Sequence, residues 1–79
     1  MPIVSFLGGA AFEPETIRVM SIALEEVCKD LGLSLKDDPA TRLVAEKIIQ
    51  LAQRGIREPE TLRALTLKEF RRNSTNGNR

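Results

Sequence analysis

The sequence predicts a small all-α protein, a three-helix bundle with an apolar N-terminal arm and a disordered C-terminal tail. Three segments begin with the same pattern of an acid, a proline, any residue and a threonine: residues 13–16, 38–41 and 58–61. Proline suits the first position of a helix, and a nearby acid favours the positive end of the helix dipole. Outside residues 3–6, no segment alternates with the period of two that is typical of a strand.

The first helix is predicted over about residues 14–31. Pro14 has no backbone N–H, and this costs no hydrogen bond at the first helical position because no backbone acceptor is in reach there. The residues at the spacing of one apolar helix face are Ile17, Met20, Ser21, Leu24, Val27, Cys28 and Leu31. We expect Gly32 to end the helix in a left-handed conformation.

The second helix is predicted over about residues 39–54, with Asp38 as its N-cap and Gly55 as its stop. Glu13 and Glu58 are weaker caps for the other two helices. The apolar residues of the second helix surround a narrow polar stripe: Leu43, Val44, Ala45, Ile48, Ile49, Leu51 and Ala52. So broad an apolar surface is typical of a central helix with neighbours on several sides. The N-terminal arm, a second copy of the chain, or both must cover it, and we therefore predict a homodimer.

The third helix is predicted over about residues 59–71, with Leu62, Leu65 and Phe70 on its apolar side. The segment from Thr66 to Glu69 also has the pattern of a capping box, which leaves open whether the helix breaks at Thr66. Residues 73–79 contain no apolar side chain, and we expect a disordered tail there. Residues 1–72, with the arm at 1–12, form the single predicted domain.

The composition argues against an enzyme. The 79 residues include no histidine, tryptophan or tyrosine and one cysteine. We therefore expect no catalytic residue, no cofactor and no metal site. Cys28 lies on the apolar stripe of the first helix with no histidine to activate it, so we expect a buried core thiol. No apolar run approaches the roughly 20 residues of a membrane span, and no membrane partner is expected.

The near-neutral net charge of +1 hides an uneven distribution. Residues 1–38 carry seven acidic and three basic side chains, a net −4, and residues 39–79 carry four acidic and nine basic ones, a net +5. One interpretation is that the two halves attract each other, within one chain or head-to-tail between two copies. The other is a basic surface for phosphate or an acidic partner.

The second helix and the turn after it carry a family resemblance. The positions that carry it are 44–49, Ala52, 54–55, 57–59 and 62–63. At these positions the chain resembles a family of short, chiefly alphaproteobacterial proteins without assigned activity. The first helix adds similar positions: Phe12, Pro14, Glu15, Met20, Ala23, Cys28 and Leu31. The resemblance spans about residues 12–67 and implies an all-α fold in the bacterial cytoplasm, with no catalytic residue. The chain departs from the family in Glu58, where aspartate is usual, and in its longer apolar arm.

These features favour a non-enzymatic protein–protein interaction module that self-associates or binds an unidentified partner through apolar helical surface. The expected surface is the arm together with parts of the second helix, and the arm residues are Ile3, Val4, Phe6, Leu7 and Phe12. Gly8 and Gly9 are expected to form a flexible joint behind it. The N-terminus has no basic region before its apolar stretch, so we expect no signal peptide and a cytoplasmic protein.

The alternative is a weak nucleic-acid-binding or regulatory protein that uses the basic C-terminal half. The candidate phosphate contacts are Arg54, Arg57, Arg63, Lys68, Arg71 and Arg72. The spacing around Gly55 fits a helix-turn-helix poorly, and no aromatic side chain is evident among these bases for stacking. We therefore expect a solvated basic face and regard nucleic acid as the less favoured partner.

Overall fold

The computed structural model describes residues 3, 6–9, 11–35 and 38–77, with side chains described as far as residue 70. It contains three helices, α1 (Pro14–Leu31), α2 (Pro39–Gln53) and α3 (Pro59–Gly77), which all pack against one another. The prediction of an all-α three-helix bundle is confirmed. The described part of the chain has no strand, and Ile3 and Phe6 have 3₁₀-helical backbone despite the alternation over 3–6. Within the same part, no helix is long and apolar enough to cross a bilayer.

The boundaries of α1 are those predicted from its start and stop residues. Glu13 is extended and makes no side-chain cap, and Pro14 occupies the first helical position. Gly32 adopts a left-handed φ of 72° beyond Leu31. Its N–H donates to the Lys29 carbonyl at 3.3 Å, and the Leu33 N–H donates to the Cys28 carbonyl at 2.8 Å. This paired closure is the Schellman motif, which satisfies carbonyls that would otherwise lack partners.

α2 begins at its predicted cap and ends one residue early. The Asp38 carboxylate accepts a hydrogen bond from the Ala40 N–H at 3.1 Å, as an N-cap does. The helix ends at Gln53, before the predicted Arg54. The Gly55 and Ile56 N–H groups then donate to the Ala52 and Leu51 carbonyls at 3.0 and 3.1 Å, so α2 closes in the same way as α1.

α3 is continuous from Pro59 to Gly77 and does not break at Thr66. Its backbone continues past the predicted end at about residue 71 because no glycine or proline occurs between Pro59 and Gly77. The tail predicted to be disordered from residue 73 is therefore helical as far as 77, and residues 78 and 79 lie outside the described residues.

One core joins the three helices and the N-terminal arm. Its buried apolar members are Ile3, Met20, Ala23, Leu24, Val27, Cys28, Val44, Ala45, Ile48, Ile49, Leu51, Ala52, Leu62 and Leu67. Leu43 was expected on the apolar surface of α2, and this expectation is wrong, since its side chain is 55% exposed. Helical spacing explains the difference, because Glu46 and Gln50 lie three and seven residues after Leu43 and share its side of the helix.

Candidate interaction surface

The N-terminal arm packs on its own chain. Ile3 is fully buried in the core, and Phe6, Leu7 and Phe12 are half-buried against that core. Val4 lies outside the described residues. In this arrangement the arm covers part of the apolar surface that the sequence left unpartnered, and Ile3 presents nothing to a second molecule.

Two glycines make a turn within the N-terminal arm. Gly8 and Gly9 have φ values of 58° and 95°, a left-handed backbone that residues with a Cβ rarely adopt. Both glycines lie in a turn of the described backbone between Leu7 and α1. The predicted joint is thus a defined turn, and its conformation accounts for the choice of two glycines at this point.

Among the residues that the structure describes, four large apolar side chains stay exposed: Ile22, Leu35, Leu43 and Leu65, at 38%, 38%, 55% and 37% of their surface. Ile22 belongs to α1 and Leu35 to the connection before α2. Leu43 and Leu65 lie on the two neighbouring helices α2 and α3. Single exposed leucines are ordinary on a protein surface, so what distinguishes this pair is their setting.

An ion pair between α2 and α3 lies one helical turn from both Leu43 and Leu65. Lys47 Nζ lies 3.9 Å from Glu69 Oε1, and the two side chains are 24% and 46% exposed. Leu43 is four residues before Lys47, and Leu65 is four residues before Glu69, so each leucine lies one helical turn from its charged neighbour. We name the four residues Leu43, Lys47, Leu65 and Glu69 the α2–α3 face.

Arg63, one of the predicted phosphate contacts, is paired with acidic side chains of its own chain. Arg63 donates from Nε and Nη2 to Asp30 Oδ2 at 3.0 and 2.7 Å, and its Nε lies 3.8 Å from Glu26 Oε1. The hydrogen bond and the charge of Asp30 raise the pKa of Arg63 above its ordinary value. Two acids of the negative half thus neutralise one base of the positive half, which is the within-chain attraction expected from the charge distribution.

Arg57 is used to hold the connection 54–58 against α1. Its guanidinium donates from Nε to the Ala52 carbonyl at 3.3 Å and from Nη1 to Thr16 Oγ1 at 3.0 Å. It also lines an open cleft of about 380 Å³ together with Ala11, Phe12, Glu13 and Gln53. Because Glu13 brings a carboxylate to the same cleft, the charge of Arg57 is opposed there.

The remaining candidate bases are dispersed. Arg54 follows the last turn of α2, Lys68 lies in the middle of α3, and both side chains are exposed. Arg71 and Arg72 belong to α3, but their side chains lie outside the described residues. Arg54 and Lys68 therefore belong to different parts of the fold.

The single thiol is buried, as predicted. Cys28 Sγ donates to Thr41 Oγ1 at 3.8 Å, and the residue is 1% exposed. Burial raises the pKa of the Cys28 thiol, the hydrogen bond with Thr41 opposes that shift, and the charge of Asp38 adds to it. A neutral, enclosed thiol is a poor nucleophile. Among the described residues, no group of three or more acidic, cysteine or histidine side chains is placed to hold a metal ion.

No protein-family model, curated protein or solved structure matches the chain. The candidate surface is therefore defined by its own geometry. Of its four members, the sequence indicated only the two leucines, and it assigned both to the core. The position of Leu43 beside the polar stripe of α2 is the signal that would have placed it outside.

Proposed function

We propose that this chain is a small non-enzymatic protein–protein interaction module that self-associates or binds a partner through apolar helical surface. The observation that carries the proposal is the exposure of Leu43 and Leu65 on adjacent helices, beside a core that already encloses the other large apolar side chains of α2. The resemblance noted in the sequence supports a place in the bacterial cytoplasm.

The proposed interaction surface lies on the helices and not on the arm. The arm residues were its first candidates, yet Ile3 is fully buried in its own chain and Phe12 is half-buried. Unspecified parts of the second helix were also candidates, and Leu43 of α2 is the most exposed of the four large apolar side chains. Contact through Leu43 requires no rearrangement of the core.

Nucleic-acid binding has weaker support. Phosphate contacts need bases whose charge is available, but Arg63 is paired with two carboxylates and Arg57 is hydrogen-bonded within the chain. Each neutralised phosphate steepens the salt dependence of affinity, so a titration of duplex and single-stranded oligonucleotides at two salt concentrations tests this alternative. We expect no binding at low salt. Tight binding with a steep salt slope would replace the proposed function.

Sedimentation velocity over a concentration series from about 10 µM to about 1 mM tests self-association directly, because weak protein interfaces populate complexes in this range. We expect the weight-average sedimentation coefficient to rise with concentration. A chain that stays monomeric at every concentration would contradict self-association as the function.

A further inference from the structure

We infer that the occupant of the α2–α3 face is the same face of a second copy of this chain. The inference rests on the proposed function and names its partner. Leu43 and Leu65 of one copy would pack on the leucines of the other, beside the two Lys47–Glu69 ion pairs. Such an interface is isologous, because each copy contributes the same residues, and it closes at two subunits.

The geometry of the hairpin places the leucines on either side of the ion pair. The short connection 54–58 makes α2 and α3 antiparallel neighbours. One turn back from Lys47 on α2 therefore leads away from the connection, whereas one turn back from Glu69 on α3 leads towards it. Leu43 and Leu65 consequently lie at opposite ends of the face, with the charged pair between them, and two facing copies have an apolar contact at both ends.

Charge favours a second copy over a partner of one sign. Lys47 and Glu69 are flanked by the exposed side chains of Glu46 and Lys68, which follow Leu43 and Leu65 by three residues. The face and its flanks therefore carry two cations and two anions and attract neither a strongly acidic nor a strongly basic surface. A copy related by a two-fold axis brings a carboxylate of its own within reach of Lys47 and an ammonium within reach of Glu69. The pair within one chain is long, at 3.9 Å, and Glu69 is about half exposed, which leaves its carboxylate accessible to a second ammonium group.

The size of the face predicts a weak dimer. α2 has 15 residues and is therefore about 22 Å long. Two helices side by side are about 18 Å wide, so the side of α2 and α3 that contains the face covers at most about 400 Å² per copy, half of the roughly 800 Å² per partner in a standard interface. We expect dimers that form and dissociate readily and that are populated only in the upper part of the concentration series.

Serine substitutions test the apolar contacts. We expect Leu43→Ser and Leu65→Ser each to raise the dissociation constant at least about tenfold, since a few buried side chains commonly carry most of the binding energy of an interface. Ile22→Ser is the matched control, because Ile22 is as exposed as Leu65 but lies on α1. Its dissociation constant should stay that of the wild type. Circular dichroism of each variant establishes that the helices are retained.

Charge reversal tests the centre of the face. Lys47→Glu places like charges opposite each other within and between copies, and we expect it to weaken the dimer. The double variant Lys47→Glu/Glu69→Lys restores opposite charges and should restore dimerisation.

If the wild type dimerises and Leu43→Ser leaves the dissociation constant unchanged, the inference is wrong and the proposed function stands. The same holds if Ile22→Ser raises the dissociation constant as much as Leu43→Ser does. A wild type that stays monomeric would contradict the inference and self-association as the function, and it would leave binding of a different partner as the proposed function.

Discussion

Three threonines at equivalent positions of the three helix starts have three different roles. Thr16 is buried and accepts a hydrogen bond from Arg57, which joins α1 to the connection before α3. Thr41 is buried and donates to the Ser34 carbonyl while accepting from Cys28. Thr61 donates to the Glu58 carboxylate at 3.1 Å, a local bond at the helix start. The shared sequence pattern therefore specifies where a helix begins, whereas the surrounding packing decides what the hydroxyl does.

Thr41 and Thr66 form a matched pair for testing buried hydroxyls. Valine has nearly the shape of threonine without its hydroxyl. Thr41→Val removes the donor to the Ser34 carbonyl, and we expect the free energy of unfolding to fall by about 1–2 kcal/mol. The Thr66 hydroxyl is buried without a partner in the described part of the chain, so Thr66→Val should leave stability unchanged or raise it by about 1 kcal/mol.

Urea denaturation of both variants followed by circular dichroism measures the difference. Ser21→Ala is a second control of the same kind, since the Ser21 hydroxyl is likewise buried with no partner among the described residues. If Thr66→Val and Thr41→Val lose equal stability, the Thr66 hydroxyl has a partner in solution, and the interpretation of these two sites is wrong.

At the scale of the helices, the sequence predicted the starts of all three and the ends of two. A glycine with a left-handed backbone follows the end of α1 and of α2, and this local signal is readable without any tertiary information. No such signal follows Phe70, so the end of α3 was placed by composition alone, and the helix continues to Gly77. The capping-box pattern at Thr66 was misleading because Thr66 and Leu67 are buried against the other helices, which keeps the helix continuous.

Asp38 and Glu13 test how much a cap contributes to these helices. Asp38 accepts the Ala40 N–H, and Asp38→Ala should lower the free energy of unfolding by about 1 kcal/mol. Glu13 occupies the same position of α1 without a side-chain cap, so Glu13→Ala should cost only a few tenths of a kcal/mol through the helix dipole. Urea denaturation of the two variants at equal salt measures the contrast. Equal losses would show that the Asp38 bond contributes nothing beyond charge.

At the scale of the whole molecule, the sequence predicted that the core needs an additional cover but not which surface stays open. The arm was a candidate both for covering the core and for forming the interaction surface, and the structure places Ile3 inside the core. The exposure of Leu43 follows from its place beside the polar stripe of α2, because Glu46 and Gln50 share its side of the helix. Leu43 was instead expected within the broad apolar surface of the second helix. Lys47 and Glu69 are 22 positions apart, so their pairing follows only from the antiparallel packing of α2 and α3.

Ile3 distinguishes an arm that stabilises its own chain from an arm that joins two chains. Ile3→Ala removes a fully buried side chain, and we expect the free energy of unfolding to fall by about 2–4 kcal/mol, a large share of the roughly 4–12 kcal/mol typical for a chain of this size. Denaturation at a low concentration, where the chain is monomeric, measures this loss. Leu7→Ala is the control and should cost less, because Leu7 is only half-buried.

The oligomeric state of the same variant completes the test. Because Ile3 lies inside its own chain, Ile3→Ala should leave the dissociation constant of the folded dimer unchanged, whereas Leu43→Ser raises it without a comparable loss of stability. An arm exchanged between two copies predicts the reverse, with Ile3→Ala weakening the dimer and barely affecting the monomer. Both arrangements bury the Ile3 side chain. They are distinguished by whether Ile3→Ala lowers the stability of the monomer or raises the dissociation constant of the dimer.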